Sequence, residues 1–515
     1  MSQNQFFAKK NLQDLLDEMA GDHRLKRVLG PVALTSLGIG AVIGAGIFVS
    51  TGKAAHDIAG PALMVSYVVA GLTCIFAALC YAEFASMAPV AGSAYTYAYT
   101  TMGELFAWII GWDLVLEYAV GAATVANGWS SYFQAVLAKF KIVLPDIIST
   151  NPLVYKDGHF VTTGAWVNLP AVLIVAIVTA VLVKGIQESA KFNTAMVIVK
   201  VLAVLFVIGV GAFYIDSANW TPFAPYGWSG LSFFGQPILG EPQNGRPVGV
   251  LAGAAIIFFA YIGFDSVSTH AEEAKNPQRD VPIAIVTSLL ICTVLYIAVV
   301  AVLTGMVRYN EIDINAGVSD AFKKAGLPKA EFIIAGAGVA GITSVLLVMM
   351  LSAPRVFLAM ARDGLVPSKF FADVHPRFQT PWKSTILIGV FVGVLAGLLP
   401  IDALLDLANI GTLFAFVIVC GAVLIMRKTN PDTPRPFRCP FVPVVPVLGI
   451  AACLMLMFSL PAENWYRLIG WLAIGMCIYF CYGRKHSVLG QQLRGELARH
   501  GATPAGSLKD NGPKS

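Results

Sequence analysis

The chain has 515 residues, 57% of them hydrophobic and only 13% charged, with a mean hydropathy of +0.72. These proportions exclude an ordinary water-soluble globule and point to an all-α integral membrane protein that crosses the bilayer many times. The formal charge of +5 sits in short loops and tails between apolar runs, so it reads as a topology signal and no nucleic-acid partner is expected.

Residues 1–30 carry too many charges (Lys9, Lys10, Asp14, Asp17, Glu18, Arg24, Lys26, Arg27) for the apolar core of a cleaved signal, and read as a cytoplasmic segment. Within them FFAKKNLQDLLDEM has apolar residues at roughly helical spacing, which predicts a short surface helix. Apolar runs long enough for a ~30 Å hydrocarbon core then fall near 31–50, 61–87, 105–137, 168–185, 190–214, 248–270, 282–306, 332–361, 383–400, 403–426, 441–460 and 464–483. That pattern predicts 12 transmembrane helices.

With the N-terminus inside, 24 Lys and Arg fall on the cytoplasmic side and 10 on the outer side, and Lys200 lies within a span, which accounts for all 35. By the positive-inside rule both termini are cytoplasmic. Two outer loops are sizeable, 138–167 and 215–247, and neither is a domain or an evident dock for an accessory membrane subunit. Residues 484–515 form a cytoplasmic tail.

Seven of the eight cysteines lie in apolar runs and Cys439 in a basic loop, so no disulfide framework is implied. The seven histidines are scattered, and neither a metal site nor a cofactor is expected.

The first span is broken by composition. LGIGAVIGAGIF (37–48) holds Gly38, Gly40, Gly44 and Gly46; Gly40 and Gly44 have the spacing of a helix-packing pair, but packing accounts for one pair and not for the cluster. Irregular backbone at membrane depth is tolerated where it is buried in protein or lines a cavity. The sixth span, AGAAIIFFAYIGFDSVSTHAEEA, is interrupted at Tyr261, Gly263 and Asp265, five spans later and in the opposite sense. Matching broken helices in two inverted halves mark the midplane site of a transporter. The halves are 31–214 (spans 1–5) and 248–426 (spans 6–10), and 427–483 brings two peripheral helices with their preceding cytoplasmic loop.

At the first break the amides of Ala45, Gly46 and Ile47 open a second half-helix whose N-terminus favours a carboxylate. Val42 and Ile43 end the first half-helix with free carbonyls, and carbonyls near Phe259, Ala260 and Ile262 do likewise in span 6. Together these groups suit the ammonium and carboxylate of an α-amino acid, with Gly44 between them and the substrate side chain pointing at Phe259 and Tyr261.

Charges inside a span are costly and rarely idle. Lys200 lies about eleven residues from either end of span 5, roughly 16 Å, too deep to snorkel. It either makes a permanent structural bond or carries a proton beside the broken helix. Glu117 is near the middle of span 3, with Asp113 one turn before it on the same face. Glu117 could partner Lys200, relay a proton, bind a cationic group or make a structural hydrogen bond; Asp113 reads as structural. Glu83 and Asp265 are also embedded. EEAKNPQRDVPIAI (272–285) reads as a cytoplasmic gate loop locked by ion pairs, or simply as a solvated charged face, and RDGLVPSKFFADVHPRF (362–378) as another cytoplasmic connector.

In these residues the chain resembles the amino acid/polyamine/organocation superfamily, and within it the cationic amino acid transporter branch. The resemblance spans roughly 22–430 and rests on HRLKRVLG (23–30), LGIGAVIGAGIFVSTG (37–52), AGPA (59–62), PVAGSAYTYAY (89–99), LEY (116–118), ESAKFN (188–193), YIGFDSVST (261–269), EEAKNPQRDVP (272–282) and RDGLVP (362–367). It implies a five-plus-five inverted repeat of the leucine-transporter type, with an amino acid bound at the breaks of helices 1 and 6. The GAG of helix 1 falls on Gly44, Ala45 and Gly46, the aromatic gate of helix 6 on Phe259 or its neighbours, and the embedded glutamate of helix 3 on Glu117. A lysine on helix 5, which replaces a bound ion in proton-coupled bacterial relatives, falls on Lys200, with Lys191 as the weaker match.

The expectation is a bacterial inner-membrane transporter that moves L-amino acids, cationic or small and neutral such as alanine, by alternating access with protons as coupling ion. Amino acid exchange uses the same fold, and Thr343 and Ser344 keep the hydroxyls that sodium coupling needs. A receptor that binds an amino acid without flux is disfavoured by the lack of a sizeable soluble domain, and an enzyme by the lack of a nucleophile and base pair.

Overall fold

The computed structural model describes residues 5–11, 29–44, 46–88, 92–156, 159–240, 242, 247–314, 317–378 and 380–495. Twelve helices carry the architecture: α1 Pro31–Val42, α2 Leu63–Met87, α3 Glu104–Lys139, α4 Leu169–Lys184, α5 Ile186–Gly211, α6 Val250–Ile257, α7 Pro277–Met306, α8 Pro328–Arg362, α9 Trp382–Leu398, α10 Ile401–Thr429, α11 Val444–Ser459 and α12 Ala462–Ile478. Among the described residues eight helical stretches are long and apolar enough to cross a membrane, the first being Pro31–Met87, which takes in two of the predicted runs. Three shorter apolar helices, Leu169–Lys184, Trp382–Leu398 and Val444–Ser459, accompany them. The chain is a multi-pass helical membrane protein.

The packing pairs α3 with α8, α2 with α7 and α4 with α9. At 36 and 35 residues, α3 and α8 are the longest helices, roughly 50 Å each at 1.5 Å per residue, well beyond the bilayer core. Outer faces of α4 and α5 expose Leu173, Ile177, Leu202 and Leu205, as lipid contact requires. The inner faces of α1, α3, α6 and α8 are almost wholly buried.

Helix α12 is fastened to α3 by a reciprocal pair of indoles. Trp112 Nε1 donates to the Trp471 carbonyl and Trp471 Nε1 to that of Trp112, both at 3.0 Å, with the rings stacked at 4.5 Å.

Both described chain ends meet at one end of the bundle. The buried Glu104 carboxylate, at the start of α3, accepts from Gln5 Nε2 (2.8 Å), Tyr99 (3.0 Å), Tyr479 (2.9 Å) and Ser487. Of the predicted N-terminal surface helix, Gln5–Phe7 forms a single tight turn, and residues 12–28 lie outside the described residues. At the 362–378 connector the Lys383 ammonium, in the first turn of α9, lies 2.7 Å from Asp373 and holds that carboxyl below its usual range by hydrogen bonding.

At the opposite end the loops fold into two hairpins, Leu153–Lys156 with His159–Thr162, and Leu231–Phe233 with Gln236–Leu239. The second is tied to the α11–α12 corner by Phe234 N to Phe458 O (2.8 Å) and Ser232 Oγ to Ser459 O (2.7 Å).

Candidate functional site

Helix α1 ends at Val42 because the next residues leave the helical region: Ile43 is extended, at φ −73° and ψ 103°. Ala45 lies outside the described residues. From Gly46 the chain resumes as wide π-type turns, Gly46–Ser50 and Ala55–Ala59, around a short α segment. The break thus falls within the glycine cluster.

The second break follows α6. A tight turn over Phe258–Tyr261 leads to Ile262, which is extended (ψ 133°), and to Gly263 at φ +117°. That φ is strongly disfavoured for a side-chain-bearing residue. Helix resumes at Ser266–Thr269.

Glycines bring the two breaks together. A Cβ on Gly46 would stand 2.3 Å from Ala260 Cα, and one on Gly263 would stand 2.9 Å from the Ala41 carbonyl oxygen. Gly44 abuts Val345 of α8 and Gly38 abuts Ser288 of α7, so part of the cluster serves close helix packing as well. Of the predicted binding residues, Val42, Ile43, Gly44, Gly46, Ile47, Phe259, Ala260, Tyr261 and Ile262 are all buried and gather around this crossing.

Several of their carbonyls are already engaged. Lys200, fully buried on α5, donates from Nζ to Gly40 O (2.5 Å), Ile43 O (2.8 Å) and Ser344 Oγ (2.8 Å). Its three protons therefore meet three neutral acceptors, two of them at the C-terminal end of α1, where the helix dipole favours a cation. Gly341 of α8 lies against the Lys200 stem. Among the described residues no carboxylate pairs with Lys200; the ion-pair option weighed from sequence gives way to bonds with carbonyls and a hydroxyl. Ser344 belongs to this cage, whereas Thr343 bonds to Trp129 Nε1 (2.9 Å). For Lys191 the side chain lies outside the description.

The Tyr296 hydroxyl bridges the breaks, 2.8 Å from Val42 O and 2.9 Å from Ala260 O. Sequence reasoning passed over this residue. The available signal was a single aromatic hydroxyl in the middle of an otherwise aliphatic run, TVLYIAVV.

Glu117 is buried and does not pair with Lys200; it faces Thr412 of α10, Asp113 and Asp265. Asp113 Oδ1 stands 3.1 Å from where a Gly411 Cβ would be. Asp265 accepts from the Tyr118 hydroxyl at 2.5 Å. The carboxyl oxygens of Asp113 and Glu117 and Oδ1 of Asp265 have no hydrogen-bond partner among the described residues. Glu83 is held elsewhere, by a two-pronged contact with Arg427 (2.9 and 2.8 Å) and by Arg435 (3.3 Å).

Below the second break Glu273 receives a buried contact from Arg355 of α8 at 2.7 Å, and its carbonyl accepts from Leu29 N at 3.0 Å. The 272–285 segment thus contributes one buried ion pair, while Glu272 and Arg362, 3.9 Å apart, are a looser surface pair. Among the described residues no group of three or more His, Cys, Asp or Glu is arranged to hold a metal ion.

The site is two mutually facing broken helices inside a multi-pass membrane bundle, the first of them bonded at its end by the buried Lys200 of α5. The amino acid permease family profile matches residues 29–480, and the chain belongs to that family. It is 46% identical to the branched-chain amino acid permease BcaP of Bacillus subtilis over 94% of this chain and 99% of that one. It is 44% identical to the methylthioribose transporter of the same organism, with the same coverage. A third relative, cationic amino acid transporter 4 (vacuolar) of Arabidopsis thaliana, is 32% identical over 91% of this chain and 94% of its own. These relationships make the chain a transport protein of the amino acid permease type.

Proposed function

We propose that this protein is a proton-coupled secondary transporter that imports an L-amino acid across the bacterial cell membrane by alternating access, with both termini in the cytoplasm. Twelve membrane helices form two inverted halves, 31–214 and 248–426, followed by two peripheral helices in 427–483. The matched lengths of α3 and α8 (36 and 35 residues) and of α4 and α9 (16 and 17) support the repeat, as do the broken first helices.

Lys200 carries the proton-coupling part of this reading. Its ammonium holds the end of α1 through Gly40 and Ile43. Loss of its proton leaves a neutral amine with fewer donors, which releases α1 and lets one end of the bundle open. Glu117 is the second proton-coupling residue, facing a polar group between α3, α6 and α10.

The substrate carboxylate binds the amides at Ala45, Gly46 and Ile47, and its ammonium the carbonyls of Val42, Ile43, Ala260 and Ile262. Gly44 leaves room between them, while Phe259 and Tyr261 face the side chain. The named cargoes of the relatives differ in side chain and even in class. A second reading, import of methylthioribose or a similar neutral sugar, is favoured by the full-length relative that carries it; hydroxyls can use the same amides and carbonyls.

Uptake of labelled alanine, leucine, arginine and methylthioribose into proteoliposomes, under separate pH and sodium gradients, tests the proposal. Accumulation of an amino acid driven by inward protons supports it. Flux only into amino-acid-loaded vesicles makes the protein an exchanger, sodium-driven uptake removes Lys200 from its coupling role, and sugar uptake alone selects the second reading.

A further inference from the structure

Helix α12 runs on past Ile478 as wide turns over Tyr479–Gly483 and a last helical turn over Arg484–His486. The apolar stretch Ala462–His486 counts 25 residues. At 1.5 Å per residue that is roughly 37 Å, several ångströms beyond a ~30 Å hydrocarbon core. Arg484 and Lys485 therefore stand at headgroup depth.

The N-terminal turn is fastened directly against this exit. Gln5 Nε2 donates to the Arg484 carbonyl at 2.9 Å as well as to Glu104. That bond seats the Phe6 ring beneath the Arg484 guanidinium, 5.1 Å from the ring centroid. A guanidinium stacked on a ring spends its face and keeps its edge of N–H donors for an oxyanion. The arrangement is held from below, where Val488 N donates to Asp363 O at 3.0 Å and Gly490 abuts the Gln5 side chain.

Charge at this exit is one-sided. Lys9, Arg484 and Lys485 are exposed, and among the described residues none of them is in an ion pair. The nearby carboxylates are turned inward and satisfied: Glu104 is fully buried among its donors, and Asp363 accepts from Lys10 (2.8 Å) and Tyr95 (2.6 Å). Beside the cations stand exposed apolar side chains, Phe7 at 59% and Phe480 at 45%. Cations next to large apolar groups at headgroup depth suit an anionic lipid surface.

We propose that this exit of α12 binds the phosphodiester headgroup of an anionic phospholipid in the adjoining leaflet. Arg484 on its Phe6 platform is the principal contact, Lys485 and Lys9 add charge, and Phe7 and Phe480 meet the acyl chains. Phe6 and Arg484 come from opposite ends of the chain, so the bound lipid fastens the two together. The proposal does not depend on which solute the protein carries.

The test titrates the full chain in detergent with phosphatidylglycerol or phosphatidylcholine of identical acyl chains and counts bound lipid by native mass spectrometry. Wild type is expected to bind its first phosphatidylglycerol about tenfold tighter than its first phosphatidylcholine. Arg484→Gln should raise the phosphatidylglycerol Kd about tenfold, the scale of a charge-assisted contact, with phosphatidylcholine unchanged. Phe6→Leu keeps every charge and should raise it about threefold, the scale of the lost ring contact. Lys428→Gln, at an exposed cation in the last turn of α10, should leave it unchanged.

Equal affinity of wild type for the two lipids overturns the proposal, as does wild-type phosphatidylglycerol affinity in either Arg484→Gln or Phe6→Leu. A tenfold loss in Lys428→Gln also overturns it, because the attraction is then diffuse charge and not this site.

Discussion

Single atoms decide how the two broken helices meet. At Gly46 the obstacle to any side chain is the Ala260 backbone, 2.3 Å from the added Cβ, which cannot rotate away. Gly46→Ala is expected to force the breaks apart at a cost of about 1–3 kcal/mol, and to reduce uptake far more than it lowers the thermal midpoint. The neighbouring hydroxyls on α8 make a sharper contrast. Ser344→Ala takes one of three acceptors from Lys200 and should weaken transport by about tenfold, roughly one hydrogen bond to a charged group. Thr343→Ala, whose hydroxyl serves Trp129, should leave the coupling to protons unchanged in the same uptake measurement.

Much at this scale was legible beforehand. A lysine about eleven residues from either end of a span must face protein, and glycines clustered at membrane depth must face something other than lipid. Which carbonyls Lys200 meets was not legible, because contacts between α5, α1 and α8 depend on how distant helices rotate. Tyr296 escaped for the same reason: one hydroxyl in an aliphatic run has no periodic signature.

Helices and their joints set the next scale. The 272–285 segment, read from sequence as either a locked gate or a solvated face, divides between the two. Glu273 is buried against Arg355, whereas the contact of Glu272 with Arg362 is long. Glu273→Gln leaves a buried guanidinium without its counter-charge and should destabilise the protein by about 3–5 kcal/mol, read as a lowered thermal midpoint in detergent. A double replacement of Glu273 and Arg355 by apolar residues should recover most of that loss, because no unpaired charge remains. Charge patterning located this joint but could not separate two adjacent glutamates, whose fates differ through the turn at Ala271–Glu273. The loop hairpins and the Trp112–Trp471 clasp were also invisible in the sequence, since each joins segments hundreds of residues apart or lacks the alternation that marks a longer strand.

For the whole molecule, α2 packs on α7, α3 on α8 and α4 on α9, which under the proposed inverted repeat sets three helices beside their counterparts. Under that proposal one half rocks against the other around the crossing of the breaks. Lys200 sits on α5 and reaches across to α1 and to α8. In the proposed cycle a proton at that position touches elements that separate when the site opens. Composition and run length made the multi-pass helical plan readable, because membrane burial leaves so few alternatives for the backbone.

The most direct test is uptake of the transported amino acid into proteoliposomes holding wild type or Lys200→Met, across a series of imposed pH gradients, alongside exchange at equal pH. Wild type should accumulate substrate in proportion to the inward proton gradient. Lys200→Met should lose that dependence while binding substrate. If Lys200→Met accumulates substrate with the wild-type response to the gradient, the proton is carried elsewhere and the account is contradicted.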